Sequence, residues 1–290
     1  MMQRTSRERR HLFSYLVCIL VVGGLVVATV ALKPWDQESR QWLQRVGQFV
    51  RPGTFARRLR VTGLLQDALS AVERGDWVQA EQKARQAIKV SPDNATGWEI
   101  LVLSLSQQGR WSDAEEAIQQ APTTAIQSFL YGALADLSYF QGQPNQAIRF
   151  YQEALKRDPD NPVVLNNYGY LLAERGERLD EAEEMIKKAL KKRPNEPAFL
   201  DSLGWVYYQK GDYQRALPHI EKSVQRDPNS ADVRKQLGMV YYRLGDLNKA
   251  RRELEESLRI DPSYQQARKA LDEVLEAQKQ KEMTGQTIGT

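Results

Sequence analysis

The chain repeats itself about every 34 residues between positions 61 and 264, and this period restricts its fold more than any other feature. Each unit of 33 to 35 residues contains a glycine, followed five or six residues later by an alanine. The units are 61–94, 95–127, 128–161, 162–196, 197–230 and 231–264. The glycines are Gly75, Gly109, Gly142, Gly176, Gly211 and Gly245. Units this short cannot bury an apolar face alone, so the period predicts a solenoid of stacked units.

Small residues and prolines predict a pair of helices in each unit. The glycine ends a first helix, small residues let a second helix cross it closely, and a proline stops that second helix. The first small residues are Ala80, Ala114, Ala147, Ala182, Ala216 and Ala250. The second, seven positions on, are Ala87, Ala121, Ala154, Ala189, Ser223 and Ser257. The prolines are Pro92, Pro159, Pro194, Pro228 and Pro262.

The first helices share a pattern of large apolar and small residues. It reads Leu165-x-x-Tyr168-Gly169-x-x-Leu172, Leu200-x-x-Leu203-Gly204-x-x-Tyr207 and Trp98-x-x-Leu101-Val102-x-x-Leu105. In length and pattern the units resemble the tetratricopeptide repeat, and the chain as a whole resembles its membrane-anchored bacterial members. The resemblance implies an all-α solenoid of six helix–turn–helix units without enzymatic activity. It also implies a concave groove, lined by the first helices, that binds protein or peptide partners.

Two departures from the period predict local irregularities. The fourth unit carries one extra residue, which we expect in the turn between its helices. In the second unit, Pro122 directly follows Ala121, so the second helix of this second unit should be cut short. We expect the array to be divided there into two and four units. After the last unit, residues 265–282 predict a capping helix, and residues 283–290 predict a disordered tail.

The N-terminal part predicts a membrane anchor. Residues 12–32 contain no charged side chain, and 21 residues at about 1.5 Å each span a bilayer core of roughly 30 Å. A cleaved signal peptide is the main alternative, but its apolar region is shorter, and Thr29-Val30-Ala31 is a poor cleavage site. We therefore favour a retained transmembrane signal anchor.

The charges around this segment indicate an orientation. Arginines in the basic flank at 1–11 favour a cytoplasmic N-terminus, with the repeats in the periplasm of a bacterial inner membrane. Because residues 33–60 are also basic, repeats on the cytoplasmic side are the alternative. Trp35, Trp42, Val46 and Phe49 lie on one predicted helical face. This juxtamembrane segment either lies among the lipid headgroups or packs on the first repeat.

Composition excludes several classes of function. One Cys and two His rule out an internal disulfide and make a Cys/His metal site implausible. Residues 1–60 hold eleven basic and three acidic side chains, while the rest hold 30 basic and 34 acidic ones, so the predicted folded body lacks the positive charge of a nucleic-acid binder. No catalytic motif is present. We therefore expect no enzyme, no cofactor, no metal and no nucleic-acid partner.

Positions of the first helices that the packing pattern does not use are the candidate partner-binding residues. They combine amide groups, suited to a peptide backbone, with aromatic rings. These residues are Asp136, Tyr139, Phe140, Asn166, Asn167, Tyr170, Asp201, Ser202, Trp205, Tyr208, Lys235, Gln236, Met239 and Tyr242. The alternative interpretation is that the aromatic rings fill gaps between helices and touch no partner.

The predicted anchor, the repeats and the lack of a catalytic motif lead to three hypotheses about function. The first is a membrane-anchored scaffold whose groove binds protein partners and supports assembly of a membrane or envelope complex. The second is a self-associating lattice, for which Gly24 and Ala28 offer a helix-packing pair in the anchor. The third is a regulatory subunit of a membrane enzyme.

Overall fold

The computed structural model describes residues 52–287, and the predicted anchor at 12–32 lies outside them. Thirteen α-helices, and no strand, form this described part. They are α1 (Pro52–Glu73), α2 (Trp77–Val90), α3 (Ala95–Gln107), α4 (Trp111–Gln120), α5 (Thr124–Phe140), α6 (Pro144–Arg157), α7 (Pro162–Glu174), α8 (Leu179–Lys192), α9 (Pro197–Gln209), α10 (Tyr213–Arg226), α11 (Ala231–Arg243), α12 (Leu247–Ile260) and α13 (Gln265–Thr287). Between positions 52 and 287 no helix is both long and apolar enough to cross a bilayer.

The helices pack as six consecutive pairs, α1 with α2 through α11 with α12, and α13 packs on α12 and α11. The predicted all-α solenoid of helix pairs is therefore confirmed. Each turn within a pair contains one of the six repeat glycines at a positive φ, between 65° and 82°. In the fifth pair, the N–H of Gly211 donates to the carbonyl of Tyr208, and the N–H of Asp212 donates to that of Tyr207, both at 2.9 Å. These bonds end α9 and reverse the chain.

The extra residue of the fourth unit lies in its turn, as expected. Arg178, directly before α8, adopts a left-handed φ of 49°, which few residues other than glycine take. Its guanidinium group bonds to the Tyr168 hydroxyl at 2.9 Å and to Glu181 at 2.6 Å. These contacts hold the longer turn against α7 and α8.

Small residues permit close helix crossing within a pair. A Cβ atom built on Gly204 of α9 would lie 2.3 Å from Cγ1 of Ile220 in α10. Ala216 and Ser223 of α10 are completely buried, and the Ser223 hydroxyl donates to the Pro197 carbonyl at 2.8 Å. The two backbones approach this closely because no larger side chain separates them.

Three helix boundaries differ from those expected. Helix α1 begins at Pro52 rather than 61, and proline suits a first helical position because its missing N–H would be unpaired there. Helix α5 begins at Thr124 rather than 128, because the Thr123 hydroxyl accepts a hydrogen bond from the Ile126 N–H and caps the helix. Helix α13 continues to Thr287, into the predicted disordered tail.

The chain divides into two compact units between Asp158 and Pro159, which places three helix pairs in each. The expected division into two and four pairs at Pro122 is wrong. Helix α4 is indeed short, ending at Gln120, but capping by Thr123 starts α5 directly afterwards. Helices α3 and α5 contact each other across this point, so packing continues past the proline.

Candidate partner-binding face

In the second unit the first helices of successive pairs contact one another: α7 with α9, α9 with α11 and α11 with α13. Positions 34 or 35 residues apart therefore lie side by side on one surface. We call this surface the first-helix face. It consists of Asn166, Asn167, Tyr170, Asp201, Ser202, Trp205, Tyr208, Lys235, Gln236, Met239 and Tyr242.

The remaining candidate residues, Asp136, Tyr139 and Phe140, belong to the first unit. The rings of Tyr139 and Phe140 lie 5.6 Å apart, and Phe140 is 38% exposed. The Asp136 carboxylate accepts a hydrogen bond from the Tyr151 hydroxyl of α6. Burial, and then the Asp136 charge, raise the pKa of Tyr151. Asp136 therefore has a structural contact within its own pair.

The first-helix face has an accessible part and a buried part. Five of its residues are half-buried and can be reached from solvent: Asn167, Tyr170, Lys235, Met239 and Tyr242. Six are buried: Asn166, Asp201, Ser202, Trp205, Tyr208 and Gln236. That these residues bind a partner stays a prediction.

Two of the buried aromatic residues pack on each other. The rings of Trp205 and Tyr208 are stacked, with centroids 4.7 Å apart and planes 5° from parallel. Tyr208 also lies 5.3 Å from the Tyr213 ring and accepts a hydrogen bond from Nε of Arg243 at 3.2 Å. For these two side chains, the structure agrees with the interpretation that aromatic rings fill gaps between helices.

An ion pair lies beside this aromatic pair. Nζ of Lys235 lies 2.8 Å from the Asp232 carboxylate, which also accepts a hydrogen bond from the Tyr264 hydroxyl. The same Nζ lies 5.7 Å from the Trp205 ring centroid and 5.5 Å from that of Tyr264. Burial opposes the charge on Lys235, but Asp232 outweighs it and raises the pKa of the lysine. Lys235 is thus held as a cation.

Among residues 52–287, Asp201 makes no ion pair of its own, because the Lys235 amine pairs with Asp232. Burial raises the pKa of its carboxyl group well above the usual range, and the nearby charge of Asp232 adds to the effect, while Lys235 and Gln236 oppose it. Its Oδ1 atom has no hydrogen-bond partner among residues 52–287. Three more buried atoms of the first-helix face share this property: Oδ1 of Asn166, Nε1 of Trp205 and Oε1 of Gln236.

Family models described as tetratricopeptide repeat match residues 65–128, 141–204 and 207–271, together more than half of the chain. The chain belongs to the tetratricopeptide repeat family. Tetratricopeptide repeat proteins bind protein or peptide partners. No enzyme family is among the matching models.

A curated relative belongs to the same family. It is the TPR repeat-containing protein PA4667 of Pseudomonas aeruginosa, 31% identical over 113 residues. The match covers 37% of this chain and 19% of that protein. This chain therefore spans about a fifth of the length of the relative.

Several solved structures share the fold. The structure titled as the APC/C hetero-tetramer Cut9-Hcn1 superposes with a TM-score of 0.57 at 20% identity, covering 74% of this chain and 42% of that one. The Pseudomonas aeruginosa pilF structure gives 0.54 at 18% identity, covering 75% and 99%. PilW, titled a type IV pilus biogenesis factor, gives 0.54 at 20% identity, covering 73% and 98%. At these identities the likeness concerns the fold alone.

Sequence reasoning on the tetratricopeptide repeats missed some of the groups that surround the face. Asp232 and Tyr264 lie outside the first-helix positions we selected, at or before the start of a helix, yet both contact the Lys235 amine or its ion pair. A signal was available in the spacing, because Asp232 and Lys235 are three residues apart on α11. In the part of the chain that the structure describes, no cluster of three His, Cys, Asp or Glu side chains is arranged to hold a metal ion.

Proposed function

We propose that this protein is a membrane-anchored scaffold whose first-helix face binds an extended segment of a protein partner. The complex it helps to assemble lies at a membrane or cell envelope. The observation that carries the proposal is the accessible part of the face, where Asn167 and Tyr170 on α7 and Met239 and Tyr242 on α11, the helices on either side of α9, offer amide, aromatic and thioether groups. Residues of these kinds combine apolar contact with hydrogen bonding and are enriched where proteins bind one another.

Rigid placement of these side chains supports the proposal. Side-chain contacts join neighbouring first helices: Nε of Arg243 in α11 donates to the Tyr208 hydroxyl of α9 at 3.2 Å, and the Tyr264 hydroxyl, directly before α13, donates to Asp232 of α11. A surface that is already ordered loses less conformational entropy when it binds a flexible segment. The face is therefore suited to hold a chain that becomes ordered on it.

Membrane anchoring is supported by the uncharged run at 12–32 and by the basic residues before it. We propose that the repeats lie on the outer side of a bacterial inner membrane. A reporter enzyme active only outside the cytoplasm, fused after Thr290, is expected to be active. If this orientation is wrong, that reporter will be inactive, and a reporter that is active only in the cytoplasm will be active at the same position.

Site-specific photo-crosslinking in producing cells tests the binding face directly. A photoreactive amino acid replaces Met239 on the first-helix face of the full-length chain, and the crosslinked product is identified by mass spectrometry. The control places the same amino acid at Gln214, an exposed position of the second helix α10. We expect one defined heterologous product from position 239 and none from 214.

Other outcomes would count against the proposal. The same products from both positions would indicate nonspecific contact. A product consisting of two copies of this chain would favour the self-associating lattice instead. Exchange of the accessible Tyr170 and Tyr242 for alanine should reduce the yield at position 239, whereas Gln214→Ala with Gln225→Ala should leave it unchanged.

A further inference from the structure

Helix α1 extends beyond the first repeat unit. It has 22 residues, whereas the first helices α3 and α9 have 13 each. The part of α1 at 52–60 precedes the first unit, which begins at 61, and adds about 13 Å of helix at a rise of about 1.5 Å per residue. We call residues 52–60 the α1 extension.

One hydrogen bond shows which side of the α1 extension faces the repeats. Nε of Arg57 donates to the carbonyl oxygen of Val90 at 2.6 Å. Val90 is the last residue of α2, and its carbonyl is one of those that a helix end leaves open. Arg57 therefore has a structural contact within the first pair. Successive residues are about 100° apart around a helix, so Leu59 lies on the opposite side from Arg57.

This opposite side carries an apolar side chain between two cations. Leu59 is 39% exposed, and Arg58 and Arg60, which flank it around the helix, are both exposed. Among the described residues no ion pair includes either arginine, and the first acidic side chain of α1, Asp67, is already paired with Lys83 at 2.7 Å. The charge of the α1 extension is therefore available to an anionic partner.

The position of the α1 extension in the chain indicates which anion it meets. Only the 19 residues at 33–51 separate it from the predicted anchor at 12–32. Even a fully extended chain of this length spans no more than about 65 Å. Lipid headgroups are therefore always within reach of the α1 extension, whatever other partners the protein binds.

We propose that the α1 extension binds the anionic headgroups of the membrane in which the chain is anchored; this rests on the anchoring in the proposed function. Arg58 and Arg60 bind lipid phosphate groups, which match the planar fork of guanidinium donors, and Leu59 enters the layer between them. Long arginine stems let the charges stay at headgroup level while the leucine is buried. Because the extension and α1 are one continuous helix, the first pair is held at the membrane surface.

Quenching of a fluorescent label by lipids tests this contact in the full-length chain. The chain carries Cys18→Ser and Gly63→Cys, is labelled at 63 and is reconstituted into phosphatidylcholine vesicles with or without phosphatidylglycerol. Some lipids carry a nitroxide quencher high on the acyl chain. Gly63 lies one turn after Leu59, and no atom lies within 4 Å of a Cβ built there, so the label leaves the basic pair intact. The control label is at Gln214→Cys, an exposed position of α10.

We expect strong quenching at 63, and none at 214, in vesicles that contain phosphatidylglycerol. Arg58→Gln with Arg60→Gln should lower the ratio of docked to undocked protein at least about 10-fold, because each basic side chain near an anionic surface contributes to binding. Arg226→Gln with Arg268→Gln removes the same charge from exposed positions of α10 and α13 and should leave the quenching unchanged.

The outcomes separate headgroup binding from anchoring. Absence of quenching at 63, in protein that resists alkaline extraction from the vesicles, overturns headgroup binding and leaves the anchor intact. Quenching that is equal without phosphatidylglycerol, or that survives the exchange of Arg58 and Arg60, also overturns it, because the anchor alone then brings the label to the lipid. Release of the chain by alkaline extraction contradicts the proposed anchoring and this inference together.

Discussion

The indole ring of Trp205 lies parallel to the phenol ring of Tyr208, with their centroids 4.7 Å apart and both side chains buried. The two residues are three positions apart in α9 and therefore lie on the same side of the helix. The stack fills the space between α9 and α11, where Arg243 bonds to the Tyr208 hydroxyl. Its first role is to hold the first-helix face in shape.

Replacement of Trp205 should therefore affect stability. We expect Trp205→Ala to lower the free energy of unfolding by about 3 kcal/mol, because it removes a buried ring and leaves a cavity. Urea unfolding followed by circular dichroism measures this. Tyr242→Ala, at a half-buried position of the same face, is the control and should cost less than about half as much. Equal losses for the two variants would show that the stack has no special structural role.

The contact of Gly204 with Ile220 predicts a second stability effect. A Cβ atom at 204 would lie 2.3 Å from Cγ1 of Ile220 and 3.2 Å from the Ala216 carbonyl oxygen, so Gly204→Ala forces α9 and α10 apart. We expect a loss of about 1–3 kcal/mol in the free energy of unfolding.

The control for this prediction is Gly63→Ala in α1, where no atom lies within 4 Å of the added Cβ. There, alanine should stabilise the helix by about 0.5–1 kcal/mol. In a background of Ile220→Ala, the penalty of Gly204→Ala should largely disappear. Its persistence in that background would assign the effect to something other than this contact.

Buried Glu99 predicts a dependence of stability on pH. Burial in α3 raises the pKa of its carboxyl group from 4.5 to about 7. The folded state therefore holds this proton more tightly than the unfolded state does. The stabilisation is fully present below about pH 4.5 and is lost as the pH rises through 7, amounting to on the order of 3 kcal/mol.

Glu99→Gln removes this titration. The free energy of unfolding of the variant should exceed that of the wild type at pH 8 and vary less between pH 5 and 7. Denaturant titrations across this range measure both quantities. The exposed Glu116 of α4 provides the control, since Glu116→Gln should leave the pH dependence as it is. A Glu99→Gln variant with the wild-type slope would contradict the assignment.

Glu183 predicts the opposite dependence. It accepts a hydrogen bond from Lys187 of the same helix at 2.6 Å. Bonds from the Tyr207 hydroxyl at 2.9 Å and from Lys210 tie α8 to the C-terminal end of α9. Burial works against ionisation, but these bonds outweigh it and lower the pKa of Glu183 to about 2. The stabilisation is present above about pH 4.5, the value of the unfolded chain, and is lost as the pH falls through 2.

Glu183→Gln should therefore lower the free energy of unfolding at pH 7 by about 1–2 kcal/mol. The difference from the wild type should narrow as the pH is lowered from 4.5 to 2. Thermal unfolding at a series of pH values measures it. The neighbouring Glu184 is exposed, and Glu184→Gln should behave like the wild type throughout. A pH-independent difference for Glu183→Gln would argue that packing, not charge, is responsible.

Local steric rules explain why helix pairs could be predicted from the sequence. Gly211 is required where φ is 76°, and Gly204 is required where Ile220 leaves no room for a Cβ atom. Such requirements recur in each repeat, so they are visible as a period. The start of α5 was missed because Thr123 caps it without belonging to the repeated pattern.

The repeat pattern did not predict which residues of the first-helix face are buried and which are accessible. The pattern treated every first-helix position that it does not use for packing as accessible. Asp201, Trp205 and Tyr208 are buried, whereas Tyr170 and Met239 are partly exposed, although the period places Tyr170, Trp205 and Met239 at the same position. The difference arises from what lies on the adjacent helix.

The sequence by itself determined the helix pairs, their order and the family, because turn geometry and close helix crossing depend on single residues at fixed spacing. Only the tertiary structure decided which side chains of the first-helix face are buried. It also placed the Lys235 amine on Asp232 rather than on Asp201. Burial and pairing depend on neighbours about 34 residues away in the chain, and the repeat pattern does not specify how their side chains meet.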